Sequence, residues 1–131
     1  MDIRKLVPVL GPNEASALLG ETEHWRNFGR RIQHHPEMSR HLQVKQGHRC
    51  PVCGCSLEGG LTIHHVSYIN RCRTDEIITI PSPTAKRPNK TIQAPPCEGC
   101  DQLERCSSFL ALVHAGCHVK IHALEAKLKD Q

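Results

Sequence analysis

The stretch HAGCHVKIH, residues 114–122, carries three imidazoles and a thiol in nine positions. Imidazole nitrogen and thiolate sulfur are the usual protein ligands of zinc and its neighbouring transition metals, so the first chemistry to consider is metal coordination. His118 and His122 are four residues apart. On a helix they stand one turn apart on one face and can bind one ion. His114 and Cys117 are separated by two residues, as are Cys50 and Cys53 in CPVCGC (50–55). That spacing lets both side chains of a pair reach a single ion, and Gly54 relieves the tight turn that follows. Together the two pairs predict a zinc site of three cysteines and one histidine. Such a site would pin the start of the last helix to the knuckle.

The other cysteines form a second set, Cys72, Cys97, Cys100 and Cys106, with Cys55 left over as an ordinary thiol. The runs EIITI (76–80) and KTIQA (90–94) are short and β-branched, which predicts a hairpin. Pairing its strands would bring Cys72 close to the CEGC segment (97–100) and give a four-cysteine site at the hairpin base. A rival arrangement joins Cys50 and Cys53 to Cys97 and Cys100. It strands Cys72, Cys106 and Cys117 without an obvious set, so the first is preferred. The hairpin tip, PSPTAKRPN (81–89), is proline-rich and carries Lys86 and Arg87, with Lys90 at its base. No acidic residue falls between 81 and 94. Such a tip is either a solvated loop or a finger for phosphates.

Upstream, LTIHHVSY (61–68) places His64 and His65 side by side in a strand-like run. Neighbouring strand residues point to opposite faces, so two adjacent histidines can do different work. Helices are predicted over 12–19, 22–33 and 36–46 before the first cysteine, the last stopping at Gly47. A final helix is predicted over about 115–129, with Cys117, Ile121, Leu124 and Leu128 as its buried stripe. His24, His34, His35, His41 and His48 have no comparable partners and are expected at the surface. Trp25 and Phe28 are expected in the core.

The chain has 131 residues, 38% apolar and only 3% aromatic, so its core must be thin for the length. Metal would compensate. With four aromatics, recognition of single strands by stacking is disfavoured. No apolar run reaches the ~18 residues of a membrane span, and the start is too short and proline-broken for an export signal. A reducing cytoplasmic setting is therefore the default, where CxxC pairs indicate metal before disulfides. The formal charge of +4 permits a polyanionic partner.

CPVCG (50–54), LTIHHVSY (61–68) and LVHAGCHVKIH (112–122) together resemble the HNH endonucleases of the ββα-metal (His-Me finger) superfamily, over roughly residues 48–124. The order is the family's: zinc knuckle, strand ending in HH, second strand, then a helix with CH and a last His. The resemblance implies an α+β fold: an N-terminal helical segment (1–47) before a zinc-stapled ββα-metal domain (48–131), with a zinc-bound insertion at about 70–106. It implies that His64 and His118, with His122 as a further ligand or a phosphate contact, hold a catalytic divalent ion (Zn²⁺, Ni²⁺, Mn²⁺ or Mg²⁺). His65 would be the general base, and Cys50, Cys53, His114 and Cys117 a structural zinc site. The middle asparagine of the family is replaced here by Phe109, beside Ser108. The expected activity is metal-dependent hydrolysis of double-stranded DNA, with Arg71, Arg73, Lys86, Arg87 and Lys90 on backbone phosphates. The alternative is a non-catalytic zinc-binding module for nucleic acid or protein.

Overall fold

The computed structural model describes residues 3–7, 32–66 and 76–129. Within them the chain is a mixed α+β structure built on two small antiparallel sheets. Among the described residues, a 3-10 turn, Ile3–Leu6, comes before helix α1 (Pro36–Lys45). Strand β1 (Leu61–His65) is followed by the hairpin strands β2 (Ile78–Pro81) and β3 (Thr91–Ala94). A short helix α2 (Leu103–Ser107) leads into β4 (Leu110–His114), which passes directly into α3 (Ala115–Lys129). No helix of the described residues is long and apolar enough to cross a membrane.

The end of α1 illustrates how sequence punctuation sets an element's limits. The Gly47 N–H bonds to the Val44 carbonyl and the His48 N–H to the Gln43 carbonyl, the paired closure of a Schellman motif. Gly47 stands at φ 63°, which glycine adopts without strain, and His48 follows at φ 61°. The start of α1 departs from expectation. His35, assigned to the surface from sequence, is 2% exposed. It is the N-cap: its Nδ1 accepts from the Glu37 and Met38 N–H groups, and its Nε2 donates to the Pro95 carbonyl at 2.8 Å. One ring thus caps the helix and ties it to the end of β3. The signal was present, since a proline at N1 makes the preceding residue the cap. Burial holds the His35 pKa below the usual histidine value, opposed by its bond to Pro95.

β1 and β4 pair antiparallel, Leu61 opposite His114 and His65 opposite Leu110. Residues 62–65 are all buried, so both faces of the strand are covered. The outer edges are occupied as well. The Ile63 N–H points away from β4 to the Gln33 carbonyl at 3.0 Å. On the far side, the Gln46 side-chain amide donates to the Leu112 carbonyl (2.9 Å) and accepts from its N–H (2.8 Å), standing in for a third strand. Ile32, Met38, Leu42, Ile63, Leu112, Val113 and Ile121 form the core between helices and sheet. Each such burial contributes roughly 1.5–3 kcal/mol.

The predicted hairpin is present, with Ile78 opposite Ala94 and Pro81 opposite Thr91. Its base is anchored by Ala94 and Pro95, both buried. Every residue from 83 to 91 is exposed. The predicted helix over 12–19 lies outside the described residues, as does that over 22–33 except for Ile32 and Gln33; Trp25 and Phe28 lie outside them too. The expected buried stripe of α3 ends early: Cys117 and Ile121 are buried and Leu124 partly so, but Leu128 is 37% exposed and lies outside the core cluster.

Candidate metal centres

Two clusters of ligand atoms assemble around the β4–α3 junction. In each, one atom per residue lies within 4.8 Å of all the others. The first is Cys50, Cys53, His114 and Cys117; the second is His64, His118 and His122.

The first cluster begins with a local device. The Gly54 N–H returns to the Cys50 carbonyl at 2.9 Å, and the Cys50 N–H reaches the Cys55 carbonyl at 2.9 Å. Gly54 sits at φ 72°, so the chain reverses within CPVCG and brings the two thiols together. The β1–β4 register sets His114 at the end of its strand, and Cys117 follows within the first turns of α3. His114 Nδ1 lies 3.4 Å from Cys53 Sγ, while its Nε2 donates to the Ser56 carbonyl at 2.9 Å. A sulfur and a nitrogen on one tetrahedral zinc ion would stand about 3.6 Å apart, so the spacing fits.

The electrostatics show the strain of gathering three thiols. A hydrogen bond from the Cys55 backbone pulls the Cys53 pKa down to about 6. Burial, reinforced by the Cys50 and Cys53 side chains, pushes Cys117 up to about 11. Burial opposes ionisation of Cys50, yet bonds from Cys53, His114 and Val52 carry its pKa downward. Contact with Cys50 raises that of His114. Negative charge is thus stabilised on one part of the cluster and resisted on another, a conflict that a dication removes.

The second cluster draws on two elements. His64 comes from β1, and His118 and His122 from successive turns of α3. The rings meet at steep mutual angles of 65–78°, with centroids 4.4–5.8 Å apart, so no two of them stack face to face. His118 Nε2 and His122 Nε2 are 3.0 Å apart. Two nitrogens on one ion stand about 2.9 Å apart at a right angle and about 3.3 Å apart at the tetrahedral angle, so the pair suits a common metal. Both outer rings are held from behind. His64 Nε2 donates to the Leu6 carbonyl at 2.5 Å, and His122 Nδ1 lies 3.5 Å from the Glu125 carboxylate. Burial lowers the pKa of His64, and burial with its two histidine neighbours lowers that of His118 to about 4. Both rings are therefore neutral near pH 7, the form that binds metal. His64 is 1% exposed whereas the His122 side chain is 47% exposed, so the cluster opens to solvent along the helix.

His65 ends β1 at 8% exposure and is not one of the clustered ligands. Its neighbour Val66 donates its N–H to the Phe109 carbonyl at 2.8 Å, tying the strand end to the start of β4. Of the second cysteine set, Cys72 lies outside the described residues. Cys97 and Cys100 flank a turn closed by the Cys100 N–H on the Cys97 carbonyl (3.1 Å), and Cys106 lies in α2. These three make no cluster of the same closeness among the described residues. Cys55 is exposed beside Cys53. Lys86, Arg87 and Lys90 are exposed on the hairpin tip; Arg71 and Arg73 lie outside the described residues.

The sequence reading missed the carbonyl of Leu6 and the carboxylate of Glu125 behind the histidines. Glu125, three residues after His122, could have been found from helical spacing. A concavity of about 660 Å³ lies between α1, the knuckle and α2, lined by Lys45, Arg49, Val52 and Ser107 among others. It borders the cysteine cluster and includes none of the three histidines. Compared with protein-family models, curated proteins and solved structures, the chain matches none.

Proposed function

We propose that the protein is a metal-dependent DNA endonuclease of the HNH, ββα-metal type, with a structural zinc in Cys50, Cys53, His114 and Cys117. The observation that carries this reading is the convergence of His64, from a strand, with an i, i+4 histidine pair on the helix that directly follows its partner strand. The adjacent cysteine cluster supports it, because a structural zinc needs neither His64 nor His122. A divalent ion held by the three imidazoles would polarise the scissile phosphate and stabilise the departing 3′ oxygen.

In this scheme His65 takes the proton from the attacking water. A neutral imidazole is suited to accepting that proton. The family's asparagine, absent here, steadies the loop that carries the base. The main-chain bond between Val66 and Phe109 serves that purpose beside His65. Imidazole ligands favour Zn²⁺, Ni²⁺ or Mn²⁺ over Mg²⁺. Lys86, Arg87 and Lys90 on the projecting tip contact backbone phosphates, joined by Arg71 and Arg73. A second zinc at the hairpin base would have to draw Cys97, Cys100 and Cys106, which make no close cluster on their own, together with Cys72.

The test is direct. Supercoiled plasmid incubated with the protein and each of Mg²⁺, Mn²⁺, Co²⁺, Ni²⁺ and Zn²⁺ should be nicked or linearised with at least one ion. Binding without cleavage under every condition would replace this reading with that of a zinc-stapled binding module, which the phenylalanine at position 109 favours.

A further inference from the structure

The least explained contact at the histidine cluster comes from the far end of the chain. The turn Ile3–Leu6 packs against α3, with Leu6 and Val7 7% and 6% exposed. The Val7 N–H closes the turn on the Arg4 carbonyl at 3.2 Å. This geometry leaves the Leu6 carbonyl facing His64, whose Nε2 donates to it at 2.5 Å across 58 residues of sequence. A neutral imidazole has one N–H and one lone pair. With the proton on Nε2, the lone pair is on Nδ1.

We propose that the N-terminal turn is a working part of the metal centre: the Leu6 carbonyl locks His64 in its Nε2–H form, so that His64 binds the ion through Nδ1 while His118 and His122 bind through Nε2. The ligand set is therefore mixed, and its shortest-reaching donor comes from the strand. The reason is geometric. A strand-borne ring packed under α3 has little room to advance, and ligation through Nδ1 lets it bind without advancing. The turn also contributes electronically, since a carbonyl accepting from the remote N–H makes the ligating nitrogen more basic and fixes its plane. Residues 3–7 thereby act as positioning residues for a ligand they never replace. The inference rests on taking the three histidines as metal ligands and is independent of whether DNA is cut.

The experiment uses full-length protein with zinc in its cysteine cluster, titrated with Co²⁺ and followed by visible absorption. His118→Ala identifies which part of the signal belongs to the histidine cluster. Val7→Pro removes the N–H that closes the turn and biases Leu6 away from helical backbone, swinging its carbonyl off His64. It should weaken cobalt binding about 10–100-fold. Val7→Ala keeps the N–H that closes the turn and so should weaken cobalt binding less than Val7→Pro does. In a second arm, His64→Asp places an oxygen as many bonds from the backbone as Nδ1 and should still bind cobalt. His64→Glu reaches instead to the place of Nε2 and should not. In a third, long-range ¹⁵N–¹H correlation spectra should show His64 protonated on Nε2.

If Val7→Pro fails to fold, the aspartate–glutamate pair and the spectra still decide. An Nδ1–H His64, retention by Glu but not Asp, a folded Val7→Pro of parental affinity, or no cobalt signal sensitive to His118→Ala would each overturn the proposal. Cobalt binding of the expected kind in a protein that cuts no plasmid would leave it standing and remove only the nuclease reading.

Discussion

The two ligand clusters share a helix, and adjacent residues, Cys117 and His118, belong to different ones. What separates them is charge and closure. Three thiolates and an imidazole around Zn²⁺ leave a net −1 and four filled positions, a site with nothing to offer a substrate. Three neutral imidazoles would leave an ion its full +2, with the half-exposed His122 on the solvent side of the cluster. On the proposed reading, residue type alone would divide one short segment into a staple and a Lewis acid.

The sharpest way to break this comparison is to mutate the two neighbours. Cys117→Ser should lose the structural zinc and, because such binding is coupled to folding and is worth about 10–16 kcal/mol in small zinc domains, should unfold the chain. Far-UV circular dichroism and zinc stoichiometry read the outcome. His118→Ala should keep both the fold and the cysteine-bound zinc. If both variants unfold, or neither does, the division between staple and Lewis acid is wrong.

A second test separates ligand from base. His65→Ala should lower the cleavage rate by ~10²–10⁴-fold with metal content and DNA affinity unchanged, because a base acts on the transition state. Loss of metal instead would move His65 into the histidine cluster.

The third test asks whether the positive field of the histidine site is reinforced from outside. Replacing Lys86, Arg87 and Lys90 with alanine should weaken binding to all duplex sequences alike. It should also flatten the salt dependence by ~0.9 in log–log slope for each phosphate that is no longer neutralised. A parental slope would assign the hairpin to folding or to a protein partner.

The smallest effect is expected at His35, which belongs to neither cluster. His35→Ala removes a cap and should cost ~1–2 kcal/mol in chemical unfolding. Its pKa is lowered in the folded state, so between the ordinary value near 6.5 and that lower one the unfolded chain binds more protons. In the metal-loaded parent, His35's share of stability is present above pH ~6.5 and is lost as pH falls through this window. The alanine variant should lack that slope.

The parts visible in the sequence were those whose cause is local. α3 was expected over about 115–129 and runs Ala115–Lys129; α1 was expected to stop at Gly47 and closes there; the hairpin strands fall within two residues of their expected limits. Periodicity, a C-terminal glycine and β-branched runs act over a few residues. The cysteine cluster was legible for a related reason, since it rests on two pairs spaced by two residues; in the histidine cluster spacing pointed only to His118 and His122, and His64 was implied by the family resemblance. What escaped were contacts made across the chain. His35 meets Pro95 across 60 positions and His64 meets Leu6 across 58, and neither partner offers more than a backbone carbonyl, which every residue has. No residue type advertises such a bond.

The clasp of Gln46 on Leu112 has a consequence for behaviour in a crowded solution. A sheet of two strands ordinarily presents two unpaired margins, each a template on which another chain can add a strand. Here residue 33 occupies one margin, and the other is met by a single side-chain amide that copies the peptide group's donor and acceptor. Because the amide belongs to a side chain, it satisfies the strand without presenting a new margin of its own. Among the described residues, the β1–β4 sheet is thus already met by Gln33 at Ile63 on one margin and by Gln46 at Leu112 on the other, the places where an added strand would have to pair.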